Sequence, residues 1–134
     1  MKRLKFFFWV TDIGFILYWL STLFHLIPPA YLFQDYTNPL LVAWNWSFLP
    51  LDLLISTSGL LSLALYRRRH PAWSKLALIS LTLTVSSGLQ AIVFWIIRQD
   101  FDWLWWTPNL YLLLYPWFFI PPLVFQSDKF REGK

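Results

Sequence analysis

The chain of 134 residues contains no cysteine, and that one absence removes disulfides, thiolate metal sites, thiol catalysis and covalent haem attachment together. Charge is also scarce: 13% of residues are Asp, Glu, Lys or Arg, against 57% that are hydrophobic. Glycine occurs only 4 times, and no Gly-rich phosphate loop is present. No cluster of His and carboxylates has metal-binding spacing, so neither a metal nor a cofactor is expected. His25 and His70 are assigned to opposite membrane sides, which excludes a bis-His haem within one chain, and no Lys lies mid-span for a retinal Schiff base. A Ser, a His and an Asp all occur, but without a nucleophile-elbow motif, so no catalytic residue is assigned.

What the chain has instead is long apolar runs and aromatic rings, 22% of all residues with 10 Trp among them. Such runs exceed what a soluble core of this size uses, and amphipathic rings settle at the headgroup level. The pattern predicts an all-α membrane protein, a single domain over 1–134 with helices at about 6–27, 48–66, 75–97 and 105–125. The first apolar run is longer than a signal-peptide core and lacks an A-x-A-like site, so it is expected to remain as an anchor. Pro28 and Pro29 are expected to end it, residues 30–47 to form an aromatic loop, Pro50 to sit in the first turn of the second helix, and Pro116 to kink the fourth.

Basic residues set the expected orientation. Lys2, Arg3 and Lys5, the 67–75 loop, and Lys129, Arg131 and Lys134 hold ten of the eleven, leaving Arg98 for the opposite side. By the positive-inside rule both termini face the cytoplasm of a bacterial inner membrane. The net charge of +4 therefore encodes topology, and nucleic acid is not an expected partner. Short links favour antiparallel neighbours, hence a four-helix bundle; the bilayer is the first partner and a second copy of the chain a candidate one.

Polar residues recur at helical spacing inside the spans: Thr11, Tyr18, Thr22 and His25; Asp52, Ser56, Gly59 and Ser62; Ser80, Thr84, Ser87 and Gln90; then Asn109, Tyr111 and Tyr115. Hydroxyls of this kind commonly serve packing, but an Asp at mid-membrane costs roughly 2.5 to 3.5 kcal/mol and marks a candidate site. Counting 1.5 Å per residue from the outer boundaries brings His25, Asp52, Gln90, Trp95 and Asn109 to a common depth. An acid among Trp, Tyr and Phe can hold a cation or a hydroxyl group, with Tyr115 as a further ligand contact. The structural alternative has Asp52 bonded to a loop amide or capping a helix, with His25 at the interface. Asp12 lies deeper, as a proton site or as half of a structural pair with Tyr66 or the 67–75 bases.

Several stretches resemble a known family. Thr11-Asp12-Ile13-Gly14-Phe15, Asn38-Pro39, Val42 to Leu53, Ser87-Gly88-Leu89-Gln90-Ala91 and Trp106-x-Pro108-Asn109 are similar to the YvaD-like family of small bacterial four-span proteins, a resemblance that implies the fold and no particular activity. More distantly, Ser47-Phe48-Leu49-x-x-Asp52-Leu53 and Tyr111-x-x-x-Tyr115-Pro116 resemble the EXPERA superfamily of sigma-2 receptor and emopamil-binding proteins. That resemblance implies an acid-containing ligand cavity with Asp52 as its acid; His25 falls where an aspartate is usual, and the His and Glu residues of the isomerases are not found. The expected function is binding of a small amphipathic or lipid-like molecule around Asp52. A small proton-coupled exporter using Asp12 and a partner subunit of a larger membrane complex are the alternatives.

Overall fold

Asn38 and Pro39 start the longest helix of the chain. The Asn38 side-chain oxygen accepts the Leu40 backbone N–H at 3.0 Å, and Pro39 occupies the first helical position, where its missing N–H costs nothing. In the computed structural model, which describes residues 2–26 and 37–125, α2 therefore runs Pro39–Arg67. It begins more than two turns before the expected Phe48, and Pro50 lies in its interior rather than its first turn. Its 29 residues rise about 43 Å, more than the roughly 30 Å of a bilayer core.

The other elements are α1 (Lys2–Leu23), α3 (Trp73–Arg98), α4 (Trp103–Leu114), a 3-10 turn (Tyr115–Phe118) and α5 (Ile120–Phe125). Among the described residues there are no strands, and four helical segments, the last being residues 103–125, are long and apolar enough to cross a membrane. Pro116 marks the change from α4 to the 3-10 turn, because it offers no N–H to continue the α pattern. Pro28, Pro29 and residues 30–36 of the expected loop, with Tyr31, Asp35 and Tyr36, lie outside the described residues, as do Lys129, Arg131 and Lys134, while the rest of that loop, from Pro39 on, is the start of α2.

Three helices end alike. At α1 the Leu26 N–H reaches the Ser21 carbonyl and the His25 N–H reaches Thr22; Arg69 and His70 close α2, and Gln99 and Asp100 close α3, in the same way. Each closure puts one residue in the left-handed region, His25 at φ 55°, Arg69 at 57° and Gln99 at 60°. Glycine ordinarily fills that place. Asp102 caps α4 by accepting the Leu104 N–H at 3.0 Å, while the exposed His70 accepts the Ala72 N–H through Nδ1 at 3.1 Å just before α3.

Each helix packs on the next in sequence, α1 on α2, α2 on α3 and α3 on α4, whereas α1 and α4 approach without close backbone packing. Two apolar cores hold the two ends. Toward the basic end, Phe8, Leu63, Trp73, Ala77, Leu81 and Leu123 are buried together. Toward the other end Leu41 and Trp95 are buried, with Trp44, Phe94, Trp105 and Trp106 around them. The outer surface is apolar as well: Leu40, Ile97, Trp103 and Phe125 are each more than three-quarters exposed, as suits side chains facing lipid. Polarity is turned inward, with Thr11, Asp12, Asp52, Ser56, Ser62, Ser80, Thr84 and Ser87 all buried.

Candidate functional site

Asp52 lies nearly four turns into α2, on a face that also carries the polar or small Asn45, Ser56 and Gly59 beside the apolar Phe48 and Ile55. Its carboxylate is held from two other helices. The Trp19 indole N–H of α1 donates to Oδ2 at 2.9 Å, and the Ser87 hydroxyl of α3 donates to Oδ1 at 3.3 Å. Both donors and the acid are buried. Two hydrogen bonds leave the carboxylate with further acceptor capacity.

Beside this acid, between the two apolar cores, is a cavity of about 390 Å³ walled by all four spans. α1 contributes Thr11, Gly14, Phe15, Tyr18 and Trp19; α2 contributes Trp44, Asn45, Phe48 and Asp52; α3 contributes Ser87, Ala91 and Trp95; α4 contributes Trp105, Pro108, Asn109 and Tyr111. The size is that of a small-ligand pocket, and the wall is mainly apolar, with eight aromatic side chains. The Tyr18 hydroxyl donates to Asn45 Oδ1 at 3.0 Å, Asn109 Nδ2 donates to the Trp105 carbonyl at 2.7 Å, and the Thr11 and Tyr111 hydroxyls share a bond of 2.9 Å. The wall carries one carboxyl group and no Lys, Arg or His. It is electrostatically suited to a neutral donor or a cation and unsuited to an anion.

Of the residues singled out from sequence, the fold brings Asp52, Trp95 and Asn109 to this cavity and leaves three elsewhere. His25 is exposed, because α1 stops at Leu23 and His25 takes the left-handed position of its end, off the helical face. Gln90 is exposed because the inward face of α3 continues from Ser80, Thr84 and Ser87 to Ala91 and Trp95, a helical step that turns Gln90 outward. Tyr115 is buried in the core at the basic end, stacked on Phe7 with ring centroids 4.9 Å apart.

Asp12 forms a separate feature below the cavity. It is fully buried, and neither carboxyl oxygen has a hydrogen-bond partner among the described residues. The carboxyl group rests on Gly59 of α2 beside the Ser80 hydroxyl of α3, while the Asp12 backbone carbonyl accepts from Ser56 at 2.9 Å. The expected pairing with Tyr66 or the 67–75 bases is not made. Asp12 instead lies at the level of Gly59, about two turns of α2 before Arg67.

Trp19, Tyr18 and Asn45 were not among the expected site residues. Asn45 falls on the face of Asp52, seven residues before it, once α2 is known to start at Pro39; the signal was the Asn-Pro cap. Trp19 had no signal of its own, since its neighbour Tyr18 lies on the polar stripe and indole rings occur throughout the chain.

A protein of Bacillus subtilis (strain 168) bearing the name "Uncharacterized protein YvaD" is 53% identical over 133 residues, covering 99% of this chain and 100% of its own length. No solved structure matches the chain. Residues 4–130 match the family described as "Family of unknown function (DUF5360)", and the chain belongs to that family.

Proposed function

We propose that this membrane protein binds a small amphipathic molecule in the cavity beside Asp52, with a hydroxyl or ammonium head donating to the carboxylate and an apolar body against the aromatic wall. The observation that carries the proposal is a carboxylate already fixed by Trp19 and Ser87, with acceptor capacity to spare, facing a cavity without any base. An intramembrane acid is costly and is most simply accounted for by what it binds. Asn45 Nδ2 and Asn109 Oδ1 lie on the same wall with hydrogen-bonding capacity left after their bonds to Tyr18 and Trp105. The four tryptophans of the wall supply faces for a cation. The short EXPERA-like motif at Ser47 to Leu53 is consistent with this reading.

We place the protein in a bacterial cell membrane with both termini cytoplasmic, which the clustering of Lys and Arg at the N-terminus and in the 67–75 segment supports. Native mass spectrometry of the detergent-purified protein, wild type beside Asp52→Asn, tests the binding. A small-molecule adduct retained by wild type and lost in the variant is expected. No adduct in either, with equal thermal stability, would reduce Asp52 to a structural residue.

A further inference from the structure

The wall of the cavity is not equally thick all round. α1 and α4 run antiparallel with no close backbone packing, and side chains bridge them at distinct levels. Toward the basic end Phe7 stacks on Tyr115 and Thr11 bonds Tyr111 at 2.9 Å. Toward the other end Tyr18 meets Trp105 edge to face, ring centroids 5.7 Å apart. Between the Thr11 and Tyr18 levels, a rise of about 10 Å, the cavity is lined by Gly14 and Phe15 on α1 and by Pro108 at the matching height on α4, and no hydrogen bond or ring contact joins Gly14 to Pro108.

Gly14 and Pro108 both line the cavity and are both exposed. A Cβ added at Gly14 would meet nothing within 4 Å, so no neighbour fills the gap that the missing side chain leaves. Val10 and Leu104, at 49% and 46% exposure, flank the same opening and also line the cavity. The interruption lies well inside the membrane-spanning segments, so what faces it from outside is acyl chain rather than water.

We propose that the Gly14–Pro108 gap is a window through which the cavity takes its ligand sideways from the bilayer, and that the ligand is therefore a membrane-dissolved single-chain amphiphile that passes through the window and then lies wholly inside, its alkyl chain against the aromatic wall and its head at Asp52. This rests on the binding reading above. A ligand arriving from water would have to pass the aromatic cluster of Trp44, Phe94, Trp95 and Trp105 at one end or the packed core at the other. A molecule already among the acyl chains passes neither. The wall's lack of a base excludes fatty acids and anionic phospholipids from the class, leaving hydroxyl and amine heads.

The test uses the protein in phosphatidylcholine vesicles and a long-chain alcohol carrying a diazirine at its chain end, photolysed at successive times after mixing. Gly14→Leu fills the window from a position with free space, and Gly14→Ala leaves it open and controls for the loss of glycine. Wild type and Gly14→Ala should label the cavity at the same initial rate, while Gly14→Leu slows it about tenfold and keeps the final level. Asp52→Asn should keep the initial rate and lower the final level. Equal initial rates in Gly14→Leu and wild type would overturn the window, and an Asp52-dependent final level would then leave the binding reading standing. No saturable labelling of the cavity in wild type would remove both. A wild-type dimer that labels only once diluted to monomer would give the gap to a second copy of the chain and overturn the proposal.

Discussion

Gly59 and Asp12 offer the sharpest test of the bundle's interior. A Cβ at Gly59 would overlap Asp12 Oδ2, stand 2.9 Å from its Cγ and 3.0 Å from Ser80 Oγ, all inside the 3.4 Å where ordinary contact begins. Asp12 is fully buried and short, and swinging its carboxyl group away would drive it into packed side chains. Overpacking of this kind costs about 1 to 3 kcal/mol. Against it stands the gain of replacing a mid-helix glycine by alanine, about 0.5 to 1 kcal/mol. In the natural background Gly59→Ala should therefore destabilise by about 1 to 2 kcal/mol. In an Asp12→Ala background the obstruction is gone and only the helix gain remains, so the same substitution should be neutral or stabilising. Asp12→Ala alone should cost little, because it removes a buried carboxyl group that has no hydrogen-bond partner to lose. The resulting coupling, about 1 to 3 kcal/mol between residues on α1 and α2, is readable as a change of sign in the shift of the thermal midpoint in detergent. An equal loss from Gly59→Ala in both backgrounds would refute the seating of Asp12 on Gly59.

Gly88 makes the stricter contact, since a Cβ there would lie 2.7 Å from both the Asn109 carbonyl oxygen and the Leu113 nitrogen, backbone atoms that cannot swing aside. Gly88→Ala should cost at least about 1 to 3 kcal/mol by forcing α3 from α4, and unchanged thermal unfolding would contradict their close approach. Trp19→Phe strands Asp52 Oδ2 without its donor and should cost about 1 to 3 kcal/mol; a melting temperature equal to wild type would mean that the bond is replaced by another group. Gln99→Gly should raise stability by about 0.5 to 1 kcal/mol, because the left-handed end of α3 suits glycine, and a loss of stability would deny that conformation.

Four spans and their inward polar stripes were legible because in lipid the costly residues cannot face outward, so Asp52, Ser56, Gly59 and Ser62 declare the inner face of α2 without help from packing. Helix ends were less legible. Asn38-Pro39 is a start signal as strong as any in the chain, but the aromatic run after it also reads as an interfacial loop, and only the hydrogen bond at Leu40 decides between them. At the other ends, closure falls on His, Arg and Gln rather than on glycine, so the usual mark was missing, and His25 was carried along a face that had already ended. Depth counting alone could place Asp52, Trp95 and Asn109 at one level. It could not separate Gln90 from Ala91, which differ by 100° around α3 and by one residue in depth.

The sequential packing of the spans bears on how the chain assembles. Because α1 meets α2, α2 meets α3 and α3 meets α4, almost every tertiary contact joins neighbours along the polypeptide, and each can form as the next hairpin is delivered to the membrane. Such a low contact order favours rapid formation without large loop-closure costs. The meeting of the first span with the last is the longest-range of these, through Phe7 with Tyr115, Thr11 with Tyr111 and Tyr18 with Trp105. A protein stalled or truncated before Tyr111 would keep three packed helices and lack the side chains that shut the barrel of the bundle. The pocket is thus completed only when the fourth span, with Trp105, Pro108, Asn109 and Tyr111, joins the other three.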